Sequence, residues 1–282
     1  MSNETENEQT PDTCSHQCSS CSSNCSERTE PVKTQMNAAS SVKHVIGVVS
    51  GKGGVGKTLV TCLLAAELTK KGYKVGILDA DATGPSIPRA FGVTGPLYAK
   101  DDGLEPAVSE LGTKIMSTNL LLPKEDMPIA WRGPLITGMI DQFFSEVNWG
   151  DLDYMLIDMP PGTSDVLLTV LQKLPVESIV TVSAPQELVG MIVGKAVNLA
   201  QSMNVEVKGI VENMAYFVCP DCEKKHYIFG EPQGAEIAQK YNIPSHATLP
   251  LDPEFARKVD AGQVEQYELH GELEPIIEAL NN

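Results

Sequence analysis

The sequence predicts an α/β protein with a mostly parallel β-sheet and helices on both of its faces. From residue 42 onward, short β-branched runs alternate with longer segments whose apolar residues recur at helical spacing. This alternation is typical of parallel βαβ units whose strands are covered on both sides. Three of the predicted strands are followed by Asp, Glu or Asn, which indicates a polar ligand site beyond the carboxyl edge of the sheet.

The predicted elements follow one another in β-α order. Short apolar, β-branched runs predict strands at residues 44–49, 74–78, 114–117, 154–157, 178–182 and 207–211. Longer segments with helical spacing predict helices at residues 57–71, 135–147, 164–171, 188–203, 233–241 and 254–261. The turn-rich stretch 103–106 suggests a hairpin before the third strand, and residues 272–282 suit a short helix at the C-terminus.

The composition favours one large folded domain after a polar tail. Residues 1–40 are rich in Ser, Thr, Asn, Glu and Gln and cannot bury enough surface to fold alone, whereas residues 41–282 suit one α/β domain. The formal net charge of -16 argues against nucleic acid as a partner. No apolar run is long enough to span a bilayer, and the first 40 residues show no targeting signal. We therefore expect a cytoplasmic protein without membrane contact.

A glycine-rich segment between the first strand and the first helix predicts phosphate binding. Residues Gly51-Lys52-Gly53-Gly54-Val55-Gly56-Lys57-Thr58 satisfy G-x-x-x-x-G-K-[ST], and the flanking strand and helix supply the required context. Backbone N–H groups and the helix dipole would cradle a nucleoside triphosphate such as ATP. Lys57 is expected at the β- and γ-phosphates, and the Thr58 hydroxyl is expected to ligate Mg2+. The fold class is therefore that of the P-loop NTPases.

Acidic residues at two other strand ends complete the expected nucleotide chemistry. Asp158 closes an apolar strand, as expected for an acid of the Mg2+ shell, although it could instead cap the next helix. Asp81 is assigned to positioning or activating the attacking water, and Asp79 to the outer shell of Mg2+ or to capping a turn. After Asp158, Gly162 follows two prolines, and its N–H is expected to approach the γ-phosphate as a switch.

Three motifs in order carry a family resemblance. They are Gly-Lys-Gly-Gly-Val-Gly-Lys-Thr, Asp-Ala-Asp-Ala-Thr-Gly-Pro-Ser and Asp-Met-Pro-Pro-Gly-Thr-Ser-Asp. Together they resemble the deviant-Walker P-loop ATPases that include MinD, ParA and the nitrogenase iron protein. The last two motifs, with Cys219-Pro220-Asp221-Cys222, more narrowly resemble the Mrp/ApbC group of iron-sulfur cluster carriers. The resemblance covers about residues 42–262.

The resemblance implies a homodimer with ATP held between its subunits. Lys52 would reach the phosphates of the partner subunit, so that Lys52, Lys57 and Asp81 form the catalytic set. Asn213 would hydrogen-bond the adenine, and the loop that begins at Pro250 would line the base. A solvated loop lysine remains the alternative for Lys52.

The pair Cys219 and Cys222 offers two soft thiolates, which suit an iron-sulfur cluster or zinc. A two-fold axis would supply a second pair, giving four sulfur ligands for one [4Fe-4S] cluster that bridges a dimer. The resemblance supports this arrangement. The alternatives are a zinc knuckle made by both cysteines with His226, and a turn without a ligand.

The N-terminal quartet of Cys14, Cys18, Cys21 and Cys25 has enough thiolates for a cluster or for zinc within one chain. A redox-sensitive tail is the third possibility, while Cys62 lies among leucines and is expected in the core.

The expected function is that of an ATPase with slow, switch-type hydrolysis that carries iron-sulfur clusters. Its partners would be a cluster-assembly scaffold and apo iron-sulfur client proteins. The alternatives are a MinD/ParA-like positioning ATPase with structural zinc and an ATP-gated electron donor.

Overall fold

The computed structural model describes residues 33–81, 86–100, 103–122, 133–162, 165–185 and 189–282. A largely parallel sheet of nine strands runs through this part of the chain. Its strands are β1 (Ser41–Ser50), β2 (Val75–Asp79), β5 (Ala107–Val108), β6 (Lys114–Met116), β7 (Asp151–Asp158), β8 (Ser178–Ser183), β9 (Glu206–Val218), β10 (Lys225–His226) and β11 (Ser245–Pro250). Separately, β3 (Ala99–Lys100) pairs antiparallel with β4 (Gly103–Leu104), so the first half of the stretch 103–106 that was predicted to be rich in turns is a strand.

The strand order places β1 in the middle, between β7 and β8. On one side β7 is followed by β2, β6 and β5, and on the other β8 is followed by β9, which also pairs with β11 and β10. Only β5 with β6 and β9 with β10 pair antiparallel within this sheet of described residues. The carboxyl ends of β1, β2 and β7 therefore lie side by side at one edge.

Eight helices lie among the described residues. They are α1 (Lys57–Lys70), α2 (Ile87–Ala90), α3 (Gly133–Ser145), α4 (Asp165–Lys173), α5 (Val189–Ser202), α6 (Gly234–Tyr241), α7 (Pro253–Asp260) and α8 (Glu274–Leu280). The six predicted helices are present with small shifts at their ends, and the short C-terminal helix predicted within residues 272–282 is α8. None of the described helices has the length and apolar character needed to cross a bilayer.

The sheet separates two apolar layers because consecutive strand residues point to opposite faces. In β7, Met155 and Ile157 pack into one layer together with Phe143 of α3. Tyr154 and Leu156 pack into the other layer, which contains α1 and α8. This burial on both faces explains why β7 is apolar almost throughout instead of alternating.

The predicted C-terminal end of the sixth strand, at residue 211, was wrong. The strand β9 does not stop before Glu212 and Asn213 but continues to Val218. The continuation has two partners that the local pattern did not reveal, since β11 pairs as far as Tyr216 and β10 pairs with Phe217 and Val218. Glu212 and Asn213 are therefore interior residues of a long strand, and the strand leads directly into the CPxC segment.

Residues just before β1 pack on the domain. Lys33 Nζ donates to the carbonyl oxygens of Leu171 and Leu174 at 2.7 and 3.1 Å, at the C-terminal end of α4. Asn37 Nδ2 donates to the carbonyl oxygen of Val147 at 3.0 Å. A lysine at the end of a helix satisfies carbonyl groups that lack helical partners.

Candidate functional site

The predicted phosphate loop connects β1 to α1 at the carboxyl edge of the sheet. Gly54 and Gly56 have φ values of 80° and 79°, a backbone conformation that favours glycine. A Cβ atom on Gly56 would lie 2.2 Å from Asn213 Nδ2, so a side chain here would displace the Asn213 amide. The amino end of α1 has no side-chain cap within the described residues, so its first N–H groups are not occupied by a capping side chain and suit a phosphate ligand.

Lys57, Thr58 and Asp158 form the centre of the site. The Lys57 ammonium lies 2.8 Å from Asp158 Oδ2 and 3.7 Å from Asp81 Oδ2, with its side chain only 5% exposed. The Thr58 hydroxyl donates to Asp158 Oδ2 at 2.6 Å. The structure thus brings together the three residues expected at the phosphates and Mg2+, although Thr58 and Asp158 are 100 positions apart in the chain.

Thr61 is a member of this cluster that sequence reasoning missed. Its buried hydroxyl donates to Asp158 Oδ1 at 2.8 Å, so the two oxygens of Asp158 each accept a bond from a threonine of α1. Residues three apart on a helix lie on the same face, and the Thr58-x-x-Thr61 spacing was the available signal. Thr61 therefore fixes the rotamer of Asp158.

Asp79 and Asp81 have different surroundings at the end of β2. Asp79 is buried, and its two oxygens accept bonds from the Asp81 N–H at 3.1 Å and the Ser117 hydroxyl at 2.8 Å. Burial and, second, the negative charge of Asp158 raise the pKa of Asp79 to about 8. The Asp81 side chain is 15% exposed and faces the Lys57 ammonium. Ser117 was not predicted, because its contact with Asp79 depends on the pairing of β6 with β2.

Gly162 lies in the segment that follows β7, close to the phosphate loop. Its φ is 81°, and its N–H donates to the carbonyl oxygen of Ser50 at 2.8 Å. The expected contact of this N–H with a γ-phosphate would require the bond to Ser50 to break. In the predicted switch, the Ser50 carbonyl oxygen is therefore the alternative partner of the Gly162 N–H.

Asn213 touches the phosphate loop from β9. Its Nδ2 donates to the carbonyl oxygen of Val55 at 3.0 Å, which places the side chain beside the nucleotide loop. Pro250 ends β11 next to this part of β9, and the Leu251 N–H donates to the carbonyl oxygen of Tyr216 at 2.7 Å. Lys52 lies in the loop and is partly exposed. Their proposed contacts with a nucleotide or a partner subunit stay predictions.

Glu212 connects β9 to the segment that follows the cysteine pair. The buried carboxylate accepts hydrogen bonds from the backbone N–H groups of Gln233 at 3.2 Å and Gly234 at 2.8 Å, at the start of α6. Burial is the largest influence on its pKa, which is raised although both backbone donors act in the opposite direction. Glu212, the neighbour of Asn213 in β9, thus holds the start of α6, where the chain returns to the sheet after the cysteine pair.

Cys219 and Cys222 lie at the tip of a hairpin formed by β9 and β10. The Cys219 N–H donates to the carbonyl oxygen of Lys224 at 3.0 Å, and the Glu223 N–H donates to the carbonyl oxygen of Cys219 at 2.8 Å. Glu223 has a φ of 57°, which closes the turn. We refer to residues 217–226 as the cysteine hairpin.

The cysteine hairpin brings three potential metal ligands together. The sulfur atoms of Cys219 and Cys222 and one ring nitrogen of His226 all lie within 4.8 Å of one another. Backbone N–H groups of Asp221 and Cys222 donate to the Cys219 sulfur and lower the pKa of that thiol, and a bond from the Cys222 side chain adds to this. The hairpin therefore favours the thiolate, the form that binds metals.

The other cysteines divide into two groups. Cys62 is buried in α1, as predicted. Burial is the main reason why its pKa is raised well above the usual value. The N-terminal quartet of Cys14, Cys18, Cys21 and Cys25 lies outside the described residues.

Comparisons with known proteins identify the family. A family model described as "ParA: NUBPL iron-transfer P-loop NTPase" matches residues 41–281. The chain belongs to this family. The fold class and the family resemblance predicted from the motifs are thereby confirmed.

The curated relatives match over most of their length. A protein of Clostridium perfringens named iron-sulfur cluster carrier protein is 47% identical over 270 residues, which cover 92% of this chain and 94% of the relative. A protein of the same name from Saccharolobus solfataricus is 44% identical over 234 residues, covering 82% of this chain and 79% of the relative.

Solved structures agree in fold. A nucleotide-binding protein from Archaeoglobus fulgidus, in complex with ADP and with cobalt found in it, has a TM-score of 0.74 at 48% identity and covers 81% of this chain and 90% of its own. The cell division ATPase MinD from Pyrococcus furiosus has a TM-score of 0.57 at 20% identity, covers 84% of this chain and 97% of its own, and shows the fold alone.

Proposed function

We propose that this protein is an ATP-dependent iron-sulfur cluster carrier of the cytoplasm. In this proposal a homodimer holds one [4Fe-4S] cluster as cargo between its cysteine hairpins, receives it from an assembly scaffold and delivers it to apo-proteins. The observation that carries the proposal is the cysteine hairpin, whose turn with Cys219 and Cys222 directly follows β9, the strand that contacts the phosphate loop through Asn213. The relatives named iron-sulfur cluster carrier protein support it.

The nucleotide site is suited to phosphoryl transfer to water. The γ-phosphoryl group of ATP would accept the oxygen of an attacking water while its bond to the departing ADP oxygen breaks. Lys57 would move from Asp158 to the phosphates, where its charge stabilises the transferred group. Asp81, partly exposed near Lys57, is the candidate for orienting the water, and Lys52 of the partner subunit would add a second cation.

The residues at the centre fit a magnesium ion. The carboxylates of Asp81 and Asp158 lie 3.7 and 2.8 Å from the Lys57 ammonium, and triphosphate would add further negative charge, so a divalent cation is needed for balance. Thr58 and Asp158 would hold Mg2+, and Asp79 would lie behind them. The cation would neutralise charge on the phosphate oxygens. Thr61 would keep Asp158 oriented throughout.

An exposed apolar surface on and next to the cysteine hairpin supports the dimer. Val218, Tyr227, Ile228 and Phe229 are 41%, 45%, 58% and 44% exposed. A second copy would bury such residues and place its own cysteine pair beside the first, as a two-fold axis requires. A [4Fe-4S] cluster needs four thiolates and each chain supplies two, so one hairpin from each chain is enough for a shared cluster.

Anaerobic reconstitution with iron and sulfide tests the proposal. Replacement of both Cys219 and Cys222 by Ala is expected to remove the iron of the bridging cluster, about two ions per chain, because four iron ions are shared by two chains. Cys62→Ala is the matched control, since this thiol is buried in α1. Variants in which the N-terminal quartet is replaced by Ser separate any iron held there.

The transfer step is tested with the reconstituted dimer and an apo-acceptor. Iron and sulfide should pass to the acceptor, and ATP should change the rate in wild-type protein but not in Lys57→Ala. Full iron retention after loss of both hairpin cysteines would contradict the shared site. A cluster that cycles between redox states without transfer would instead favour the electron-donor alternative.

A further inference from the structure

We propose that each chain, as a single copy, has a binding site for one thiophilic divalent ion, Zn2+ or Fe2+, formed by Cys219, Cys222 and His226. This site differs from the proposed bridging cluster because it needs one chain and includes a nitrogen ligand. It goes beyond the carrier function and does not depend on it. The nearness of the two sulfur atoms and the ring nitrogen, all within 4.8 Å of one another, carries the inference.

The distances are close to those of an occupied tetrahedral site. With metal–sulfur bonds of about 2.3 Å and metal–nitrogen bonds of about 2.0 Å, tetrahedral ligand atoms lie roughly 3.5 to 3.8 Å apart. The separations of the three atoms in the hairpin exceed this range by at most about 1 Å. All three side chains are at least partly exposed, so an ion can enter without any opening of the core.

The backbone of the hairpin holds the histidine beside the cysteines. His226 pairs with Phe217 across the antiparallel ladder, one position beyond the pair of Lys225 with Val218. Consecutive strand residues point to opposite faces, and the Lys225 ammonium lies 3.9 Å from the centre of the Tyr216 ring. This alternation directs the imidazole of His226, and not the lysine, toward the thiols.

The chemistry of the donor set selects the ion. Two thiolates and an imidazole suit Zn2+, and also Fe2+, much better than Mg2+ or Ca2+, which prefer oxygen ligands. The N–H groups that donate to the Cys219 sulfur act as an outer shell and stabilise the metal-bound thiolate. Three protein ligands leave a fourth position for water or for a thiolate of another protein.

Binding of Co2+ under anaerobic conditions tests the site directly. The full-length chain is used with Cys14, Cys18, Cys21 and Cys25 replaced by Ser, because those thiols would compete for the ion. We expect one Co2+ per chain and a tetrahedral visible spectrum with thiolate charge transfer. Competition by Zn2+ should displace the cobalt, as the preferred tetrahedral ion.

His226→Ala in the same background is expected to weaken Zn2+ binding by at least about tenfold, the effect seen even for outer-shell partners of metal ligands. His270→Ala, at another exposed histidine, is the control and should leave the affinity unchanged. Equal affinities of the two variants, or one ion per two chains with four sulfur ligands, would overturn the single-chain site.

Reconstitution with iron and sulfide separates this inference from the carrier function. The His226→Ala variant should keep the full iron content of the bridging cluster, since that cluster uses thiolates alone. Iron loss as large as in the Cys219 and Cys222 variant would make His226 a cluster ligand and refute the inference. If no cluster forms in any variant but Co2+ binding still depends on His226, the carrier proposal fails while the single-ion site stands.

Discussion

The buried carboxyl group of Asp79 makes a specific prediction about the pH dependence of stability. Its pKa is raised to about 8 in the folded protein, mainly by burial and then by the charge of Asp158, while an unfolded Asp has a pKa of about 3.9. Between these values the folded state holds a proton that the unfolded chain has released. The contribution of Asp79 to stability is therefore fully present below about pH 4 and is lost as the pH rises toward 8.

The size of the effect follows from the number of protons. When the folded state holds one proton that the unfolded chain lacks, the free energy of unfolding falls by about 1.4 kcal/mol for each unit that the pH rises. Asp79→Asn has nearly the same shape but cannot ionise, and Ser117 can still hydrogen-bond to it. The variant should gain about 2 to 3 kcal/mol relative to wild type between pH 5 and pH 7.

Urea unfolding measures this difference, followed by the fluorescence of tryptophan, to which the fully buried Trp149 contributes. The buffers contain EDTA and no nucleotide, because a bound cation would favour the ionised carboxylate. Asp260→Asn removes an exposed carboxylate and controls for the loss of one negative charge. A constant stability difference between Asp79→Asn and wild type from pH 5 to pH 7 would refute the assigned protonation.

Three further predictions concern residues around the site. Gly56→Ala should abolish nucleotide binding in calorimetry while leaving the fold intact by circular dichroism. The reason is that the new Cβ would lie 2.2 Å from the Asn213 amide, at a residue whose φ is 79°. Unchanged nucleotide affinity would show that the loop can adjust. Thr61→Val removes the donor to one oxygen of Asp158 and should weaken Mg2+-dependent nucleotide affinity roughly tenfold, on the order of 1.4 kcal/mol; equal weakening without Mg2+ would point to general damage. Glu212→Gln places an amide group against two backbone donors and should lower the free energy of unfolding by about 1 to 3 kcal/mol. Hydrogen exchange at the start of α6 should become faster. Unchanged exchange there would mean that the carboxylate does not hold this segment.

The sequence by itself determined the elements whose signals are local. The Gly51–Thr58 pattern predicted a phosphate loop between a strand and a helix, and the apolar run before Asp158 predicted a strand that ends in an acid. Both are confirmed, because a strand and a helix are defined by the period of their own side chains. The spacing of Cys219, Cys222 and His226 also belongs to this local kind of information.

Only the tertiary structure decided which distant residues meet. Asn213 and Val55 are 158 positions apart, and their contact depends on β9 continuing past the predicted end of the strand. That continuation depends on pairing with β11 and β10, and the contact of Ser117 with Asp79 depends on the register of β6 against β2. Such pairings reflect the packing of the whole sheet, because many segments of similar local preference compete for the same edge and only the folded core selects among them.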